Sequence, residues 1–157
     1  MFSGHFHRRN LPHIQHDFRS YFLTFVTFDR WVLPATAREL TMGHILFDHG
    51  RCMALHVAVV MPDHVHLVLT PGMNAMGWSH PLATILKGIK GSSARSINRR
   101  LKRIGPVWQH ESFDHELRRD EDLRRKCEYV CNNPVRKGLA SSADEYPWIW
   151  REWVEGM

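Results

Sequence analysis

The sequence is short of cysteine, of long apolar runs and, over its central third, of acidic residues. Its three cysteines have no paired CxxC spacing, which argues against a disulfide framework and a four-thiolate zinc site; Cys127 and Cys131 are expected to be core thiols. No apolar run approaches the roughly 20 residues of a membrane span, and the N-terminus lacks a signal-type apolar core. We therefore expect a cytoplasmic protein that is neither secreted nor inserted in a membrane.

The acid-free stretch lies between Asp63 and Glu111 and contains seven Lys and Arg residues. Over the whole chain, 21 Lys and Arg stand against 16 Asp and Glu. A basic run is usually a solvated helix face, but the missing acids favour a polyanionic partner such as a phosphate backbone. The residues that we expect to contact phosphates are Lys87, Lys90, Arg95, Arg99 and Arg100.

Alternation and helical spacing predict the order strand, helix, strand, strand, helix, strand, helix. The predicted strands are residues 21–28, 53–60, 64–69 and part of 107–117, and the predicted helices are 35–47, 81–103 and one from Asp120 that Asn133-Pro134 closes. This order indicates an α+β sandwich, an antiparallel sheet with helices packed on one face. At 157 residues we expect one domain, with a basic N-terminal arm (1–19), a core (20–140) and a C-terminal tail (141–157).

A histidine pair, His64-Val65-His66, lies in the fourth predicted element. Side chains two apart on a strand point the same way, with their Cα atoms about 7 Å apart, so both imidazoles can bind one ion. Alone, such a pair is more often structural. Mg²⁺ or Mn²⁺ would suit phosphate chemistry, although two histidines could equally hold zinc.

The last predicted helix carries a second set of candidates, Arg125, Tyr129 and Asn133, whose spacing of i, i+4 and i+8 places them on one face. Tyr129 could attack phosphorus, the amide oxygen of Asn133 could complete a metal site, and Arg125 could steady a phosphate or a developing phenolate. The alternative is structural: Tyr129 packs on the sheet, and Asn133 is a helix C-terminal residue ahead of Pro134.

The segments Met61–Leu67 (MPDHVHL) and Tyr129–Leu139 (YVCNNPVRKGL) together resemble the single-tyrosine HUH transposases, and among these the REP-associated tyrosine transposases. The similarity also takes in Arg8–His13, Leu86–Gly91, Val107–Glu111 and Phe113-Asp114. The combined pattern extends over nearly the whole chain.

The resemblance implies a ferredoxin-like fold with the nucleophile on a late helix. It also implies metal-dependent cleavage and rejoining of hairpin-forming single-stranded DNA through a 5′-phosphotyrosine, leaving a free 3′-hydroxyl. By position, His64 and His66 match the metal histidines, Tyr129 the nucleophile, and Asn133 a third ligand that is Gln in many relatives, with Asn132 as a fallback. We further expect Arg8 and Arg9 to contact bases beside the hairpin, and the chain to act as a monomer or homodimer.

Three other functions compete with the transposase. A domesticated hairpin-binding protein with vestigial catalysis would need the basic surface but not the tyrosine and the histidines. A replication initiator or relaxase usually carries an appended domain. A small-molecule metalloenzyme would leave the basic stretch without a purpose.

Overall fold

The computed structural model describes residues 6–8, as backbone, and 19–152. The strands are β1 (Phe6–Arg8), β2 (Ser20–Thr27), β3 (Met53–Val60), β4 (His64–Pro71), β5 (Trp108–Leu117) and β6 (Ile149–Arg151), and the helices are α1 (Ala35–Asp48), α2 (Leu82–Leu101) and α3 (Asp120–Arg136). Single 3₁₀ turns lie at Phe28–Arg30 and Ala143–Glu145. No helix of the described residues is long and apolar enough to cross a bilayer.

The six strands form one sheet in the order β1-β5-β2-β4-β3-β6, and every neighbouring pair is antiparallel. The segment from β2 to β5 follows the order β-α-β-β-α-β, with β2 and β4 adjacent at its centre, which is the ferredoxin-like arrangement. The predicted α+β class and antiparallel sheet are confirmed. The histidine pair opens β4, one of the two central strands.

The helices cover both faces of this sheet. Leu67 and Leu69 of β4 are fully buried in the larger core under α1 and α2, whereas Val68 of the same strand packs with Val130 of α3 in a second cluster. The expectation of helices on one face therefore applies to α1 and α2 but not to α3. The physical reason is that apolar residues occur at both alternating positions of β3 and β4, so each face of the sheet needs a cover. The predicted core thiols Cys127 and Cys131 are buried under α3.

Helix α3 does not end at Asn133-Pro134 as the sequence predicts but continues to Arg136. Pro134 removes only one backbone donor near the end of the helix, and the Lys137 N–H still donates to the Asn133 carbonyl at 3.0 Å. The chain turns at Gly138, whose φ of +73° is readily adopted only by glycine. The extra residues place Arg136 on the helix that carries Tyr129.

The segments outside the predicted core add the edges of the sheet. β1, from the predicted arm, pairs with residues 113–115 of β5, while Arg9 lies outside the described residues. β6, from the predicted tail, pairs with β3, and the buried Tyr146 hydroxyl donates to the Val60 carbonyl at 2.6 Å. The tail is thus joined to the same sheet as the histidine pair.

Candidate active site

The two histidines project from β4 towards α3. Their ring centroids are 4.7 Å apart with an interplanar angle of 71°. His66 is 8% exposed, and His64 is partly exposed at the start of the strand. The pleat that sends Val65 and Leu67 into the core under α1 and α2 sends both imidazoles to the other face, as the spacing predicts.

Each imidazole is held through its Nδ1 atom. His64 Nδ1 lies 2.8 Å from Asp63 Oδ1, and the other carboxylate oxygen of Asp63 pairs with Arg30 at 3.0 Å. His66 Nδ1 lies 2.9 Å from the Thr24 hydroxyl on β2. Neither ring forms another hydrogen bond within the described residues. Polar partners on Nδ1 are typical of metal-binding histidines, because they orient the ring and leave Nε2 for the ion.

His66 is neutral at physiological pH. Burial, together with the charges of His64, Lys126, Arg136 and Lys137, lowers its pKa to about 3. A neutral imidazole keeps the lone pair that a metal ligand needs, so His66 does not have to lose a proton before it can bind an ion.

Tyr129 of α3 lies over the histidine face, as predicted from the sequence. Its ring centroid is 6.2 Å from that of His66 and 6.3 Å from that of Phe22, and Phe22 stacks on His66 at 5.2 Å. Tyr129 nevertheless remains 43% exposed. Its ring is therefore fixed by neighbouring rings but open to a ligand from solvent.

Two cations flank the tyrosine ring, and sequence reasoning identified neither of them as site residues. The Arg136 guanidinium lies 4.1 Å from the ring centroid of Tyr129 and donates to its backbone carbonyl at 3.1 Å. The Lys126 ammonium lies 5.1 Å from the same centroid. The available signal was their helical spacing from Tyr129, at i−3 and i+7.

Arg125, the cation predicted for this role, forms an ion pair with Glu121 instead, and its side chain is 70% exposed. The pair follows the i, i+4 spacing common on solvated helix surfaces. In this arrangement Arg136 and Lys126, rather than Arg125, are the cations in contact with the Tyr129 ring.

Asn133 lies one helical turn beyond Tyr129 and is 2% exposed. Its Oδ1 atom is buried without a hydrogen-bond partner among the described residues. Buried polar atoms almost always have a partner, and an amide oxygen left without one suits a hard cation. No group of three or more His, Cys, Asp or Glu residues suited to a metal occurs in the described part of the chain, and the fallback Asn132 is exposed. The candidate metal donors are therefore two imidazole nitrogens and the Asn133 oxygen.

The predicted phosphate contacts lie on α2, which covers the opposite face of the sheet from Tyr129. Four of them are exposed: Lys87, Arg95, Arg99 and Arg100. Lys90 instead donates to the carbonyls of Gln109 at 2.6 Å and His110 at 3.1 Å and to the Ser112 hydroxyl at 2.9 Å. Burial lowers the pKa of Lys90 to about 8.

Comparison with known proteins connects this geometry to a family, although no family model matches the chain. The chain is 24% identical over 94 residues to a provisional REP-associated tyrosine transposase of Haemophilus influenzae, and 22% identical over 116 residues to the REP-associated tyrosine transposase of Escherichia coli. The chain is therefore similar in sequence to REP-associated tyrosine transposases. The matched regions cover 57% and 74% of this chain but only 53% and 65% of the two relatives.

The fold of a REP-associated tyrosine transposase matches as well. A solved structure of such a transposase bound to a REP hairpin superposes with a TM-score of 0.70 at 19% identity, covering 89% of this chain and 81% of that one. The crystal structure of a provisionally assigned transposase from Deinococcus radiodurans superposes with a TM-score of 0.51 at 20% identity, covering 78% and 96%. At these identities the structural likeness establishes a common fold.

Proposed function

We propose that the protein is a metal-dependent transposase that cleaves and rejoins single-stranded DNA at hairpin elements through a 5′-phosphotyrosine on Tyr129. The observation that carries the proposal is the position of Tyr129. Its ring is 43% exposed, is flanked by two cations, and has its centroid 6.2 Å from that of His66. The hairpin as partner is supported by the homologous fold, whose solved example is bound to a REP hairpin.

His64 and His66, through Nε2, and Asn133, through Oδ1, would hold the divalent cation, which we propose to be Mg²⁺ or Mn²⁺. Such a cation, when bound, withdraws charge from the scissile phosphate and stabilises the departing oxygen. Asp63 and Thr24 would keep the two rings in place through their Nδ1 atoms.

The tyrosine supplies the nucleophile. A tyrosine hydroxyl is a weak nucleophile until its proton leaves, so the negative charge that develops on its oxygen needs stabilisation. Arg136 and Lys126, at the ring of Tyr129, provide positive charge for it. The tyrosine oxygen bonds to phosphorus and its proton is released, while the bond to the 3′ oxygen breaks and that oxygen takes up a proton. Attack by another 3′-hydroxyl reverses the step and rejoins the strand.

The experiment is to incubate the protein with labelled hairpin DNA carrying single-stranded flanks, with Mg²⁺ or Mn²⁺, and to look for a covalent protein-DNA adduct. Tyr129→Phe is the matched control, because it removes only the hydroxyl: we expect the adduct to disappear while DNA binding persists. An adduct that survives in Tyr129→Phe would identify a different nucleophile. Binding without any adduct across many hairpins would favour the domesticated binding protein.

A further inference from the structure

Strand β5 contains a bulge beside the proposed active site. Phe25 of β2 pairs with Ser112 and Thr27 pairs with Trp108, so Val26 alone faces the three residues 109–111. On its other side Val26 pairs with His64. The bulge therefore lies in the same row across the sheet as His64, two strands or about 10 Å away. Bulges are frequent next to active sites, where they redirect side chains.

Lys90 holds this bulge in place. Its ammonium reaches from α2 and donates to the carbonyls of Gln109 and His110 and to the hydroxyl of Ser112. The two carbonyls belong to the bulge, where strand pairing does not use them in the regular way. The cation predicted to contact phosphate instead supports a piece of backbone whose own side chains, Gln109, His110 and Glu111, are exposed.

A cleft of about 570 Å³ lies between α2 and the bulge. Its walls include apolar side chains from both elements, among them Ala83, Leu86 and Val107. Trp108, also in the lining, is fixed by a hydrogen bond from its indole Nε1 to Ser93 at 3.0 Å. This volume lies within the range of about 300–1,000 Å³ typical of small-ligand sites, and apolar walls with a polar rim suit a flat aromatic ring.

The cleft opens where the sheet edge is uncovered in the described part of the chain. β1 pairs only with residues 113–115, so no described strand flanks residues 109–111. Lys87 stands at the rim, and Glu111 is the one acid in the lining. The bulge beside the cleft is two strands from His64 and the proposed active site. The exposed cations of α2 lie on the other side of the cleft.

We propose that this cleft binds one unpaired nucleobase of the single strand, with Lys87 near its phosphate and Lys90 as the residue that positions the bulge. The inference rests on the proposed function for the nature of its ligand, single-stranded DNA. A strand that passes from Tyr129 over the bulge to α2 would bring both faces of the protein onto one DNA molecule. Base stacking against apolar and aromatic walls provides affinity with little sequence preference, whereas contacts from the bulge side chains would add selectivity.

The test uses the full chain and a fluorescein-labelled single strand of about 15 nucleotides, in EDTA so that binding is separate from cleavage. Ala83→Trp fills the cleft from an exposed helix position, and Thr84→Trp places the same indole on the neighbouring exposed position outside the lining. We expect Ala83→Trp to weaken binding about tenfold and Thr84→Trp to leave it unchanged, as measured by anisotropy. Equal affinities for the two variants would overturn the proposal.

A scan with abasic residues identifies the base and examines the role of Lys90. Removing one base at the critical position should lower the affinity of the wild type about as much as Ala83→Trp does. The two losses of affinity should not add. Lys90→Met should lose the same preference for the intact strand, measured on the folded fraction of the variant. Additive losses from Ala83→Trp and base removal would contradict a shared site. If hairpin DNA yields no adduct but these results hold, the transposase proposal fails while the nucleobase site stands.

Discussion

The two faces of the central sheet differ in how completely they are covered. On β4, Leu67 and Leu69 are fully buried under two helices. Their neighbour His66 faces the single helix α3, whose Tyr129 is 43% exposed. The alternation of one strand therefore separates the buried core from the candidate active site, because consecutive side chains belong to different faces.

The faces also differ in how their polar groups are satisfied. Under α2, the ammonium of Lys90 has three acceptors and the Trp108 indole has one. Under α3, the Asn133 amide oxygen is buried without a partner among the described residues. A buried polar atom without a partner costs stability, and Asn133 is therefore the residue of the α3 face that the proposed metal would satisfy.

The largest effects are expected from single substitutions at two adjacent residues of β4. Leu67→Ala opens a cavity in the buried core and should lower the free energy of unfolding by about 2–5 kcal/mol in urea titrations. His66→Gln should instead reduce adduct formation at least about 100-fold. Mutating a residue that only supports a metal ligand typically costs about 10–100-fold, and removing a proposed ligand itself should cost more. Full adduct formation in His66→Gln, or equal stability losses, would remove the distinction between the faces.

The second test uses pH, in EDTA. The pKa of His66 is about 3 in the folded protein. Its ordinary value is about 6.5, so between these values the unfolded chain binds a proton that the folded chain does not. Stability is therefore lost as the pH falls below about 6.5. Between about pH 7 and pH 4.5, the free energy of unfolding of the wild type should fall on the order of 2 kcal/mol more than that of His66→Gln. A constant difference between the two unfolding energies would show that His66 is not buried as a neutral ring.

The third test separates the cations of α3. Arg136→Gln removes the guanidinium that lies against the Tyr129 ring, and we expect the single-turnover rate of adduct formation to fall about tenfold. Arg125→Gln removes a cation that pairs with Glu121 at the surface and should change the rate less than about twofold. The reverse order of effects would restore Arg125 to the role predicted from spacing.

The smallest expected effect concerns the α2 face. Lys87→Gln should weaken single-strand binding a few-fold and reduce the salt slope of the affinity by about one unit, because one phosphate contact is lost. Lys90→Gln should leave the salt slope unchanged, since its ammonium is bonded inside the protein, and should lower stability in addition to its expected effect on base binding. A salt slope that falls equally in both variants would show that Lys90 reaches DNA.

Local patterns predicted most of the elements well. The alternation of β3 and β4 and the periodicity of α1 and α2 are visible in sequence, because each residue's burial follows its position along one strand or helix. Pro134 misled the prediction for the end of α3, since a single missing donor in the last turn is tolerated there. Spacing brought Tyr129 and Asn133 to one helix face, but it could not rank Arg125 against Arg136, which depends on which neighbours cover that face.

The sequence by itself determined the histidine pair's common face, the tyrosine with its amide one turn later, and the acid-free basic stretch, because these depend on local periodicity and composition. Only the tertiary structure decided that α3 and α2 cover opposite faces, that Lys90 supports the β5 bulge, and that Arg136 and Lys126 contact the ring of Tyr129. Most of these contacts join residues that are distant along the chain or two turns apart on a helix, and Lys126, although local, shares the helix with Arg125, from which spacing alone did not separate it. Which of several cations lies beside the tyrosine ring or the bulge depends on how the helices pack on the sheet. The periodicity of a single segment does not determine how two faces of a sheet are covered.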